Sequence, residues 1–74
     1  RELENEIYKA IDKLPDECRR VFAKSRFEGK SYEEISRELG ISVNTVKYHI
    51  KNALASLHVD LSKYLLSLLL LFFR

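Results

Sequence analysis

The sequence has 74 residues, of which 46% are hydrophobic and 32% charged, with two Gly, one Pro, one Cys and a net charge of +2. This length allows one small domain, and the apolar content excludes a wholly disordered chain. A single cysteine excludes an intrachain disulfide and fits a reducing cytosol. Since the sequence starts without Met or a signal peptide, we expect it to be a segment of a longer protein.

Apolar residues at helical spacing predict a first helix of about three turns. They are Leu3, Ile7, Ala10, Ile11 and Leu14. Pro15 ends this helix and suits the first turn of a second one, where Asp16 and Glu17 lie at the positive end of the helix dipole. The apolar side of the second helix consists of Cys18, Val21, Phe22 and Ser25. We predict its end near Glu28 and Gly29, because Gly adopts the left-handed conformation readily.

A third helix has the clearest start signal, a capping box formed by Ser31 and Glu34. Ile35 and Leu39 follow as inward-facing residues, and Gly40 closes this short helix. A fourth helix then begins at Ser42 as N-cap, with Ile41 and Val46 at the two positions of a hydrophobic staple. Two capped helices joined by a tight turn that contains Gly predict a helix-turn-helix.

The fourth helix separates apolar from basic residues. At about 3.6 residues per turn, its inward arc collects Val46, Ile50, Ala53 and Leu57, flanked by Val43 and Leu54. The opposite arc holds Asn44, Lys47, Tyr48 and Lys51, with Thr45 and Asn52 at its edge. Residues 41–59 contain no acidic side chain, whereas residues 1–40 carry ten acidic and nine basic ones. The pattern indicates one basic element on a nearly neutral scaffold.

The stretch from Leu14 to Leu57 resembles region 4 of bacterial RNA polymerase sigma factors, and the extracytoplasmic-function (ECF) branch most closely. The resemblance rests on LP followed by RxVF, then GKSYEEI, LGIS, TVKYHIKNAL and a closing Leu. It implies a small all-α helix-turn-helix bundle of four helices that acts in transcription initiation in the bacterial cytoplasm. The implied partners are double-stranded promoter DNA at the minus-35 element and the β-subunit flap of the polymerase core, and an anti-sigma factor is a further candidate. Ser36 stands where the family usually has Ala, a small residue at the crossing of two helices.

Two alternative functions remain open at this stage. LuxR-type regulators also contain TVK and a following His, but they lack the LP-x-x-x-R-x-V-F opening and have a Glu after the first threonine that is missing here. A protein-interaction module that keeps the helix-turn-helix shape without binding DNA is the second alternative, and the acid-free face speaks against it.

The predicted DNA-binding residues come from both helices of the motif. They are Lys30, Ser31, Tyr32, Arg37, Ser42, Asn44, Thr45, Lys47, Tyr48 and Lys51. The second helix enters the major groove, where Asn reads adenine and Lys reaches guanine or phosphate, while the first helix crosses the DNA backbone. A solvated surface is the alternative for all of them, and for Arg37 an ion pair with Glu33 or Glu34. Which residue contacts a base and which a phosphate stays open.

The remaining reactive side chains predict neither catalysis nor a cofactor. His49 and His58 lack a third ligand at a suitable spacing, so we expect no metal site. Cys18 is predicted to be a small buried residue. The Ser, His and carboxylate side chains are explained by capping or by surface placement, so we expect no enzyme.

The last segment is strongly apolar from Leu65 to Phe73 except for Ser67. We predict a domain over 1–59 and a hydrophobic fifth helix over 60–74, which is too short to span a bilayer, since a span needs about 20 residues. The helix could pack on the first two helices, cover a partner or a second copy, or adsorb to a membrane surface. Because apolar residues surround all its sides, we expect self-association through 61–73 or a partner to cover part of it.

Overall fold

In the computed structural model of the protein, residues 2–61 are described, apart from the side chain of Leu3, and they form four α-helices and no strand. The helices are α1 (Glu2–Asp12), α2 (Asp16–Arg26), α3 (Tyr32–Leu39) and α4 (Val43–Leu61). The predicted all-α bundle is confirmed over this part of the chain. The predicted fifth helix lies outside the described residues from position 62 onward, and α4 itself continues through positions 60 and 61.

A tight turn around Pro15 separates α1 from α2. Pro15 is the N-cap residue of α2, one position earlier than the first-turn position that its ring also suits. Arg19 fastens the turn, because its guanidinium donates to the carbonyl oxygens of Asp12 (3.1 Å) and Leu14 (3.3 Å) and to the carboxylate of Asp16 (2.8 Å). These bonds satisfy carbonyl groups that the end of α1 leaves without helical partners.

The loop from α2 to α3 turns at Gly29, whose φ of 68° lies in the left-handed region. α2 ends at Arg26, two residues before the predicted position, and Phe27 is its C-cap. The N–H of Lys30 then donates to the carbonyl of Lys24 at 3.0 Å, which folds the loop back against α2. The position of Lys30 is therefore fixed by a backbone bond.

The core lies where α4 packs against the other three helices. Its buried residues come from every helix: Ala10, Ile11, Leu14, Cys18, Val21, Phe22, Ile35, Val46, Ile50, Ala53, Leu57 and Leu61. The predicted inward arc of α4 is confirmed, since Val46, Ala53 and Leu57 are fully buried and Ile50 is 5% exposed. Because this arc is held by the core, the rotation of α4 about its axis is fixed and its opposite arc faces outward.

Candidate nucleic-acid interface

Both ends of α3 are capped as the sequence predicts. The hydroxyl oxygen of Ser31 accepts the backbone N–H of Glu34 at 3.1 Å, and the carboxylate of Glu34 accepts the backbone N–H of Ser31 at 2.8 Å. Gly40 follows the helix in the left-handed conformation, with φ 68° and ψ 35°, and its N–H donates to the carbonyl of Ser36. An L side chain at this position would be strained whatever space surrounds it. The caps therefore fix where α3 starts and stops.

The turn between α3 and α4 is closed by two bonds between Ser36 and Ile41. The N–H of Ile41 donates to the carbonyl of Ser36 at 3.1 Å, which is the six-residue bond of a Schellman motif. In addition, the hydroxyl of Ser36 donates to the carbonyl of Ile41. An alanine at position 36 would fill the same space but could not form the second bond. Ser36 thus ties the start of α4 to the body of α3.

The start of α4 is capped by Ser42, as predicted. Its hydroxyl oxygen accepts the backbone N–H of Thr45 at 3.0 Å, and the two hydroxyl oxygens lie 2.9 Å apart. Ile41 and Val46, the two staple positions, both belong to the core, Ile41 as a half-buried residue and Val46 as a fully buried one. The angle at which the chain enters α4 is therefore set by packing as well as by the cap.

The outward arc of α4 presents four exposed side chains, Asn44, Lys47, Tyr48 and Lys51. The ring of Tyr48 is 62% exposed and lies edge-on to the ring of His49, with the centroids 5.7 Å apart. Thr45 is half-buried beside this arc. Among residues 2–61, no carboxylate forms an ion pair with Lys47 or Lys51. The arc is thus a positively charged, hydrogen-bonding surface about two turns long.

The residues predicted on the α3 side have different surroundings. Tyr32 packs partly against the core, so only part of its ring remains accessible. Arg37 is exposed and forms no ion pair within the described part of the chain, so the alternative pairing with Glu33 or Glu34 is not seen there. Ser31 is occupied by its capping bonds. Arg37 is therefore the member of this group whose guanidinium is exposed and not held in an ion pair, although, after the hydrogen bonds from Ser31, its charge also contributes to the lowered pKa of Glu34.

Lys30 is the predicted DNA-binding residue whose charge is most clearly engaged. Its ammonium forms an ion pair with Glu38 and a longer one, at 3.6 Å, with Glu28, while Lys24 approaches the other oxygen of Glu38 at 2.9 Å. The hydrogen bond to Glu38 raises the pKa of Lys30, and the bonds from Lys30 and Lys24 lower the pKa of Glu38. Sequence reasoning missed Lys24 and Glu38, because no local spacing rule joins positions 24, 30 and 38.

A sequence profile of the family described as sigma-70, region 4, matches residues 4–57. The chain belongs to the sigma-70 region 4 family. Domains of this family bind the minus-35 promoter element and RNA polymerase during transcription initiation, and the family is not a catalytic one. Neither a search of curated proteins nor a search of solved structures returned a match. The last turn of α4, with Val59 and the buried Leu61, extends past the matched span.

The cysteine of this region 4 domain lies in its interior. Cys18 is buried as predicted, its thiol donates to the backbone carbonyl of His49 at 3.2 Å, and burial raises the pKa of the thiol.

Within the described region, no three His, Cys, Asp or Glu side chains are grouped as a metal site would require. None of the described helices has the length and apolar character needed to cross a membrane.

Proposed function

We propose that this chain is the promoter-recognition domain of an ECF-type sigma factor, which acts in the bacterial cytoplasm. In this proposal α4 enters the major groove of the minus-35 element while α3 crosses the DNA backbone. The observation that carries the proposal is the exposed arc of Asn44, Lys47, Tyr48 and Lys51, which forms no ion pair with a carboxylate of residues 2–61 and lies opposite a buried arc. A helix held in this way presents the same side chains to DNA at every encounter.

The chemistry of each side chain suggests its role on DNA. Asn44 has the paired donor and acceptor that read adenine, and Lys47 and Lys51 reach guanine or phosphate. Ser42 and Thr45 lie at the start of α4, where backbone N–H groups and hydroxyls suit a phosphate oxygen. On the α3 side, the proposed backbone contacts are Ser31, Tyr32 and Arg37.

The contact with RNA polymerase, in our proposal the β-subunit flap, lies at the other end of α4. A mainly apolar groove there is lined by Leu14, Pro15, Ala55 and Val59, with the charged Lys13 and Asp60 also in its lining, and Val59 is 76% exposed. Val59 follows Lys47 by twelve positions, or roughly 18 Å along the helix axis. DNA and polymerase could therefore be bound at the same time. An anti-sigma partner, and self-association through 61–73, stay predictions.

The number of free cations suggests how strongly the domain binds alone. Of the predicted DNA-binding residues, Arg37, Lys47 and Lys51 have exposed charges that form no ion pair among the described residues. Three phosphate contacts would give a log–log salt slope of about −2.7 and weak binding at physiological salt. Attachment to polymerase raises the effective concentration of the domain at the promoter to roughly millimolar, so that even a weak contact is enough to occupy the minus-35 element. Nanomolar affinity of the isolated domain for DNA at physiological salt would contradict the view that promoter binding depends on attachment to polymerase.

The proposal is tested by Lys47→Ala and Lys51→Ala in a reconstituted polymerase holoenzyme. We expect each change to weaken protection of the minus-35 element about fivefold or more, because one base or phosphate contact is lost. The melting temperature should stay unchanged, because both side chains are exposed. Lys9→Ala, which removes one exposed charge from α1, is the matched control and should leave protection intact.

Unchanged protection in both Lys47→Ala and Lys51→Ala would mean that α4 is not the reading helix. Complete absence of protection by the unaltered holoenzyme would favour an interaction module that has the helix-turn-helix shape but does not bind DNA.

A further inference from the structure

Glu38 lies near the end of α3 and is held between two lysines from outside that helix. Lys24, on α2, contacts one carboxylate oxygen at 2.9 Å, and Lys30, in the loop before α3, contacts the other. Lys30 also approaches Glu28 at 3.6 Å. A single exposed ion pair contributes little, but here the ammonium of Lys30 is shared by two carboxylates and Glu38 by two ammonium groups. The cluster is an electrically balanced network.

The position of Lys30 makes this network relevant to DNA. Lys30 directly precedes Ser31, the N-cap of α3, and in a helix-turn-helix this helix crosses the DNA backbone. Its backbone is fixed by the bond to the carbonyl of Lys24, so only its side chain can change direction. That side chain is 30% exposed and is directed to Glu38. A lysine placed beside the DNA backbone is thus bound to carboxylates of its own domain.

We propose that Glu38 limits the DNA affinity of this domain, because it holds the Lys30 ammonium away from DNA phosphate and so weakens sequence-independent binding. This inference rests on the proposed function. Contacts to phosphate add affinity for every DNA sequence equally, and each adds about 0.9 to the steepness of the salt dependence. A domain that makes fewer such contacts is held less tightly at the many DNA sites that are not promoters, and it dissociates from them sooner.

The test compares Glu38→Gln with the unaltered 74-residue chain on a promoter duplex and on a scrambled duplex over a series of salt concentrations. Glu38→Gln keeps the shape of the side chain but removes the shorter of the two ion pairs of Lys30, so that only the longer one with Glu28, at 3.6 Å, remains. We expect the log–log slope to steepen by about 0.9 on both duplexes, with about fivefold tighter binding to scrambled DNA at 0.15 M salt. The promoter duplex and the scrambled duplex should gain affinity by the same factor, because the added phosphate contact does not depend on sequence.

Glu33→Gln is the matched control, because Glu33 is an exposed carboxylate of the same helix and forms no ion pair in the described part of the chain. It changes the net charge equally but frees no lysine, so the slope should stay at the unaltered value. The double variant Lys30→Ala with Glu38→Gln should return the slope to that value as well, because the proposal assigns the new phosphate contact to Lys30 and not to Lys24, which Glu38→Gln also releases.

Equal slopes for Glu38→Gln and Glu33→Gln would overturn the inference. So would a slope that becomes shallower by about 0.9 in Lys30→Ala alone, since Lys30 would then already contact phosphate in the unaltered chain. The second variant does not depend on whether Glu38→Gln folds. Failure of the proposed function has a separate signature, namely equal binding of the unaltered chain to the promoter and scrambled duplexes.

Discussion

Val46 and Lys47 are neighbours in the sequence, but their surroundings are opposite. Val46 has no exposed surface, whereas Lys47 is on the exposed arc of α4 together with Tyr48. One position along a helix corresponds to about 100° of rotation, so adjacent residues serve different purposes. The effect of a substitution in α4 is therefore decided by its face and not by its distance from the start of the helix.

The substitution Val46→Asp should unfold the domain, because a charge in this position would be buried without a partner. The helical circular dichroism signal at 25 °C should fall to that of an unfolded chain. Tyr48→Asp places the same charge two residues away on a side chain that is 62% exposed, and it should leave the signal unchanged. A folded Val46→Asp protein would contradict the assignment of the inward arc.

The residue roles that the sequence predicts correctly are those that depend on local spacing. The bonds of Ser31 with Glu34, and of Ser42 with Thr45, join positions three apart and follow from capping rules. The ion pairs of Glu38 could not be predicted in this way, because they depend on how α2 and its loop pack beside α3. Assignment of the DNA-binding residues stays a prediction for the same reason, since it depends on a partner.

At the scale of elements, α3 is the helix whose stability depends most on the residues that cap its two ends. It has eight residues, and a helix of this length is not stable by itself in water. Burial of Ile35 and the capping box compensate, and Gly40 ends the helix with a left-handed residue. Because α4 begins directly after this end, the stability of α3 determines how well α4 is positioned.

The capping box makes the stability of the domain dependent on pH. Hydrogen bonds from the backbone and the side chain of Ser31 lower the pKa of Glu34 in the folded state. A carboxyl group with a lowered pKa stabilises the fold above its ordinary pKa, and this contribution is lost as the pH falls through the lowered value. Glu34→Gln should therefore reduce the decrease in melting temperature between about pH 5 and pH 3.

Glu33→Gln serves as the control for this pH series, because Glu33 is exposed and is not part of the capping box. It should retain the pH dependence of the unaltered chain. Glu38, whose pKa is lowered by Lys30 and Lys24, accounts for some of the dependence that remains in Glu34→Gln. Identical melting curves of Glu34→Gln and the unaltered chain over the acid range would contradict a stabilising role of the capping box.

At the scale of the whole molecule, α4 is the common partner of the other three helices. It packs against α1, α2 and α3, and its buried Val46, Leu57 and Leu61 belong to the same core as Ala10 of α1. Leu61 is only 2% exposed, although it is the last described residue. The predicted boundary between 59 and 60 falls inside α4, and the packing of Leu61 indicates that the core extends past it.

Leu61→Ala should decrease the free energy of unfolding by about 2 to 5 kcal/mol, because it leaves a cavity beneath α1. Val59→Ala, two residues earlier on a side chain that is 76% exposed, should change it by less than about 0.5 kcal/mol. Denaturant titration of both variants gives the two values. Equal effects would mean that the folded unit stops before position 60, as the sequence-based boundary states.

The four-helix architecture could be predicted almost completely, because apolar spacing, Pro15 and the two capped helices each mark an element. The continuation of α4 through positions 60 and 61 could not, because Leu61 is assigned to this helix by its packing in the core and not by a local signal. The order of helices thus follows from local rules, whereas the extent of the last one depends on what packs against it.

Under the proposed function, the division of α4 into an inward and an outward arc makes folding and promoter recognition depend on different residues of one helix. Val46, Ile50, Ala53 and Leu57 are buried in the core on which folding depends, whereas Asn44, Lys47, Tyr48 and Lys51 are exposed and are not among the core residues. Substitutions confined to the outward arc can therefore change which promoters the domain recognises. The set of genes that such a domain controls can then change during evolution while its core stays the same.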